Sequence, residues 1–211
     1  MKSIKRIFCV IMSALAIFSL TACYNKGINE KVILLRMGID YLENSFVLTL
    51  KTLSLNSIDT EDTLTPSIIT VKGDTIKTAI DLAKMQLEAN IYFSHADSII
   101  IGLSAIDKLS TIADYLNANK EVRLSTAIFI GKSAKEILYN EEDKIHPLDL
   151  IERIETAGDK ITELFELNRK LENNKNYTLP YLSLIQNENG KKYAILDKTA
   201  TFLGLNLLEI N

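Results

Sequence analysis

Cys23 stands directly behind Leu20-Thr21-Ala22, and that spacing specifies a chemistry. Small residues at a cleavage point, followed by cysteine, form the pattern of a bacterial lipobox. In it the thiol is acylated and the cysteine becomes the mature N-terminus. Upstream lie Lys2, Lys5 and Arg6, then an uncharged run from Ile7 to Leu20. That run is short for a bilayer, which takes ~20 apolar residues to cross. Residues 1–22 are therefore expected to be a lipoprotein signal peptide that is removed, with lipidation at Cys23. The competing reading is an ordinary signal peptide cut near Ala22 with an incidental cysteine behind it.

Other chemistry is thinly represented. Cys9 leaves with the leader and Cys23 carries lipid, so no thiol remains for a disulfide or a thiolate metal site. His95 precedes an apolar run and His146 precedes Pro147 in an acidic turn, without a second imidazole near either. No metal is expected, and His95 reads as a packed or hydrogen-bonded edge residue. Gly73-Asp74-Thr75 opens a helical pattern, where backbone N–H groups can hold an anion. With a single glycine there, a helix cap is the simpler role. A G-x-S-x-G elbow is missing. Glu141-Glu142-Asp143 reads as a solvated turn. Nothing here reads as an active site, so no catalytic residue and no cofactor are expected, and the protein is expected not to be an enzyme.

Charge narrows the partners. The chain of 211 residues has a net charge of −3, and losing residues 1–22, with three basic and no acidic side chains, leaves −6. An acidic chain without a basic block is a poor match for nucleic acid, whose phosphates need Lys and Arg. Membrane attachment would rest on the lipid, for which more than one acyl chain is generally needed. A diacylglyceryl group on Cys23 meets that need.

The elements that would position these residues follow from hydrophobic period. After a polar tether over 23–31, Val32 to Ile39 reads as a strand covered on both faces, Tyr41 to Asn44 as a turn, and Phe46 to Leu55 as a second strand. Phe46, Leu48 and Leu50 fall on one face, Thr49 and Lys51 on the other, and the two runs suit an antiparallel hairpin. Ser67 to Lys72 is a third strand, and Asp74 or Thr75 caps a helix from Ile76 to Glu88. A strand over Ser98 to Ile101 ends at Gly102, and a helix carries Ile106, Leu109, Ala113 and Leu116. A strand from Leu124 to Ile130 follows, then a helix opened by the capping-box spacing Ser133-Ala134-Lys135-Glu136. Leu148 to Leu171 is expected to be helical, bent or divided at Gly158, and either packed on its own domain or offered to a partner. Short strands are expected over Tyr181 to Ile185, Tyr193 to Leu196 and Thr199 to Leu205. Strands separated by helices favour an α+β fold, a mixed and largely antiparallel sheet with helices packed on it. Residues 32–146 would form an N-terminal domain, with 147–211 completing it or opening a second.

The order of these features resembles the Ger(x)C family, the C-subunit lipoproteins of bacterial spore germinant receptors. Cys23 is followed by Tyr24, where the family usually has Trp before Asp. Met37-Gly38-Ile39-Asp40 is similar to its G-I-D, and Gly73-Asp74-Thr75-Ile76 to its G-x-T-I helix start. Phe93 through Gly102 resembles F-x-H-x-x-x-I-x-I-G, and Val122-Arg123-Leu124 to Leu138 resembles its R-L stretch and A-K-x-I-L helix. Asp197 to Phe202 is like a family G-T-A-V-F strand without the glycine. Family members are usually longer, so the chain reads as a short member, a split product or a truncated copy.

The resemblance implies a non-enzymatic subunit, lipid-anchored at the outer face of the inner spore membrane. It would sit beside two integral-membrane receptor subunits, of A and B type, and support germination in response to nutrients. Only Cys23 inherits a clear role; His95, Arg123 and Asp40 fall in matching motifs and read as structural. The alternatives are a solute-binding lipoprotein of a transporter, a lipid-anchored enzyme, or an inactive copy of a receptor subunit.

Overall fold

A computed structural model describes residues 30–54, 66–140, 161–173 and 175–211. Cys23, Glu141 to Asp143 and His146 lie outside the described residues, as does most of the expected helix from Leu148. The chain opens with β1 (Glu30–Leu42) and β2 (Ser45–Ser54), an antiparallel hairpin as the apolar pattern predicts. Its turn residues Glu43 and Asn44 have φ of 49° and 64°, the doubly left-handed turn that matches strand twist. β3 (Ser67–Gly73) pairs antiparallel with β2.

Helix α1 (Ile76–Leu87) starts at a reciprocal cap. Thr75 Oγ1 accepts from Thr78 N at 3.1 Å, and Thr78 Oγ1 accepts from Thr75 N at 3.0 Å. The Gly73–Thr75 turn is thus a cap, as its sequence suggests. β4 (Ala89–Tyr92) and β5 (Ser98–Gly102) both run parallel to β1, one behind the other along the same side. A 3₁₀ turn (Leu103–Lys108) leads into α2 (Leu109–Ala118), then β6 (Ala127–Gly131) and the short α3 (Ala134–Tyr139). The described residues resume at Ile161 with β7 (Thr162–Glu163) and α4 (Leu164–Glu172), so Thr162 and Glu163, expected to be helical, are strand, and the helix expected up to Leu171 is described only from Leu164. Thr162 is held there by pairing with Ile128 of β6.

β8 (Asn176–Gln186), β9 (Lys192–Leu203) and β10 (Asn206–Ile210) complete the sheet. Its order is β10-β9-β8-β6-β5-β1-β2-β3, with β4 beside β1 and β7 beside β6. The middle strands β8, β6, β5 and β1 are parallel, and both flanks are antiparallel. This is the mixed, mostly antiparallel α+β architecture the sequence implies.

Alternation along the strands sorts two cores. On one side Met37, Ile39, Leu48, Leu50, Ile99, Ile101 and Ile130 meet α1, α2 and α4. On the other Ile100, Phe129 and Leu182 meet Ala134, Ile137 and Leu138 of α3. Thr49 and Lys51 face that second side and are buried, though the sequence marks them as the polar face. Thr49 bonds Thr70 at 3.2 Å, and Thr70 bonds Tyr139 of α3 at 3.3 Å. Helices on both sheet faces leave this polar row with protein, not water, above it.

Candidate functional site

Three glycines and two aspartates define the best-organised polar region. Gly38 on β1, Gly102 on β5 and Gly131 on β6 underlie α3. A Cβ on Gly38 would lie 3.0 Å from Ala134 Cβ and from Leu138 Cδ1, and one on Gly102 would collide with the Asp40 carboxylate. The apolar strands IIIG and AIFIG therefore end in residues that let a helix sit flat on the sheet.

Asp40, buried at 3 % exposure, reaches across that seat. Its Oδ1 accepts from Ala134 N at 3.1 Å and its Oδ2 from Lys135 N at 2.9 Å. Ser133 Oγ accepts from Glu136 N at 3.3 Å. These are the first amides of α3, which no helical carbonyl can satisfy. In sheets with parallel strands, such a crevice beyond the strand ends is a usual place for a ligand anion. Here the connection after β5 leaves toward the first core and the one after β6 toward the second, and the protein's own carboxylate fills the position between them. The geometry is that of a structural tie. Each oxygen accepts one backbone amide.

Asp97 makes the second tie, at the break between β4 and β5. Its N–H donates to Leu35 O at 3.0 Å, and Ala127 N donates to its carbonyl at 3.0 Å, joining β1, β5 and β6. Leu35 is the bulged residue of β1, skipped in the pairing with β2. Arg36 Nε donates to Asp97 Oδ1 at 3.2 Å, and Ser98 Oγ donates to the same oxygen at 2.7 Å. Burial pushes the Asp97 carboxyl above its ordinary value, outweighing Arg36, Ser98 and the more distant Lys51, all of which pull it down. Arg36 is 2 % exposed and sits opposite Lys51 in the hairpin.

The remaining candidates are dispersed. His95 is exposed in the turn closed by Ala96 N to Phe93 O, so of the packed or hydrogen-bonded role expected for it the packed one does not hold. Arg123 reaches the Ala96 carbonyl at 3.5 Å, a marginal contact. Among the described residues there is no group of three His, Cys, Asp or Glu side chains that could hold a metal, and no helix is long and apolar enough to cross a membrane. Asp97 escaped the sequence reading because its partner is 61 residues away; only its place after His95 and Ala96, inside a family-like stretch, marked it.

Two cavities of similar size open at the sheet margin. One of about 290 Å³ lies between α4 and the β8–β9 ribbon, where Lys170 donates to Thr162 Oγ1 at 3.0 Å and to Thr178 O at 2.9 Å. The other, of about 300 Å³, lies beside α3. A family model described as the spore germination protein N-terminal domain matches residues 25–184. No curated protein and no solved structure gives a significant match.

Proposed function

The chain belongs to the family of the spore germination protein N-terminal domain, and on that premise we propose that it is a non-enzymatic lipoprotein subunit of a nutrient germinant receptor. The observation that carries the reading is the family match over residues 25–184, which begins two residues behind Cys23. In this reading Cys23 holds the protein at the outer face of the inner spore membrane. Integral-membrane subunits of A and B type stand beside it and respond with it to nutrients. β1 begins at Glu30, so the six residues 24–29 lie between the anchor and the sheet, seven Cα steps from Cys23 to Glu30. Fully extended, those seven steps span at most about 25 Å, which would keep the domain close to the lipid surface. The buried polar groups Asp40 and Asp97 act as ties between elements, which suits a rigid assembly part.

Affinity capture of the tagged chain from detergent-solubilised inner spore membranes tests this. Two multi-pass receptor subunits should co-purify, as identified by mass spectrometry. Cys23→Ala should move the protein out of the membrane fraction and abolish that capture. Recovery at the membrane without multi-pass partners would overturn the receptor assignment.

A further inference from the structure

β8 runs on where β6 stops. The parallel pairing between them consists of Ile130 with Tyr181 and Gly131 with Leu182, yet β8 continues to Gln186. From residue 183 to 186 that side of β8 has no strand partner among the described residues. The notch so formed is the cavity of about 300 Å³ beside α3. Lys132, Lys192 and Lys198 line it, with Ser183, Leu184 and a single carboxylate, Glu136. The three lysines are exposed, and none of their ammonium groups makes a hydrogen bond or ion pair among the described residues. An acidic chain thus presents a local excess of positive charge along a strand edge that is unpaired among the described residues.

We propose that this notch docks an extended acidic segment of a partner polypeptide, which adds to the β8 edge at residues 183–186 and sets its carboxylates against Lys132, Lys192 and Lys198. Strand addition supplies affinity through main-chain hydrogen bonds, and the side chains on alternate positions supply selectivity. A small phosphate fits less well. The α3 amides that would cradle it are already taken by Asp40 and Ser133, and hydrated lysine ammoniums alone act as point charges. Edge lysines can also serve only to repel stray strands. That role and docking separate by the charge of the incoming segment.

The test uses the full chain and a fluorescein-labelled peptide alternating Glu and Val, with a Lys-for-Glu counterpart as control. Fluorescence anisotropy should show binding of the acidic peptide that weakens with salt, and amide exchange at residues 183–186 should slow in the complex. Lys192→Glu with Lys198→Glu should weaken binding about tenfold and leave the melting temperature unchanged. Equal binding of both peptides, no binding, or binding without protection at 183–186 would overturn the proposal. So would displacement of the peptide by inorganic phosphate at equal concentration, which would reassign the notch to a small anion. None of these outcomes bears on membrane anchoring or receptor assembly, which the capture experiment decides separately.

Discussion

Asp40 commits both carboxylate oxygens to the backbone of an element 94 residues away, and the consequence is measurable. Hydrogen bonds to a charged acceptor contribute about 1.5–3 kcal/mol each, and removing the acceptor leaves buried amides unpaired. Asp40→Ala should therefore cost about 3 kcal/mol. For a chain of this size that is a fall of roughly 6–12 °C in melting temperature. Asp40→Asn keeps one acceptor oxygen and should lose about half as much. An unchanged melting curve for Asp40→Ala would show that the tie is incidental. Asp97 makes a prediction of opposite character. Its folded-state pKa lies above the unfolded value because burial outweighs Arg36. The native state therefore takes up a proton first as pH falls, and the Asp97 contribution to stability grows on acidification. Urea midpoints of the protein and of Asp97→Asn, compared from neutral pH down toward the ordinary carboxylate range, should shift in favour of the unmutated protein. A shift the other way would mean that the Arg36 ion pair dominates.

At the scale of elements, α3 is six residues long and owes its place to its seat. Isolated helices of this length do not persist in water; tertiary packing and the Asp40 tie hold this one. Gly102→Ala puts a methyl group into the Asp40 carboxylate, so it should cost about 1–3 kcal/mol by overpacking. In an Asp40→Ala background the obstacle is gone and the same change should cost far less. A double-mutant cycle in chemical denaturation should give a coupling of at least about 1 kcal/mol; additive effects would refute the seat. This arrangement was only half legible in the sequence. The runs Ser98–Gly102 and Ala127–Gly131 announce buried strands by their unbroken apolar content, and Ser133 announces the start of α3. That Gly38, Gly102 and Gly131 share a site follows from strand pairing, which no local pattern encodes. β4 was missed because four residues carry too little period to register, although Ala89 and Ile91 alternate inward. β9 and β10 were misdivided for a similar reason. The expected break near Asp197 is a bulge within one strand, and the real turn is at Gly204, whose φ of 59° suits the first turn position of a tight hairpin. Leu124, expected to begin β6, is instead exposed in the preceding turn.

Over the whole molecule, the family match ends at residue 184, two residues before the end of β8, while the sheet continues through β9 and β10. We read residues 176–210 as part of the same folding unit as 32–140. Leu179, Ala200 and Phe202 are fully buried in the core that also holds Leu164 and Leu167 of α4 and Ile130 of β6. Tyr177 stacks on Phe202 with ring centroids 5.3 Å apart and donates to Gly204 O at 2.8 Å; burial pushes its hydroxyl up to about 12. Asn117 and Asn168 bond reciprocally, at 2.9 and 2.6 Å, and lock α2 to α4 beneath these strands. Burying Leu179 and Phe202 alone is worth about 3–6 kcal/mol, against a total stability of about 5–15 kcal/mol for an ordinary domain. A chain ended after Glu172 would forfeit those contacts, uncover Leu164 and Leu167, and expose the β6 edge to other chains. It should fail to melt cooperatively, lose near-ultraviolet dichroism from its packed tyrosines, and bind a hydrophobic dye, the signs of lost tertiary packing with secondary structure retained. Trimming only the outer ribbon, residues 184–194, removes half-buried side chains and should leave a cooperative transition. If the chain ended after Glu172 melts cooperatively within a few degrees of the full protein, residues 176–210 are a separate unit and the division near residue 146 stands.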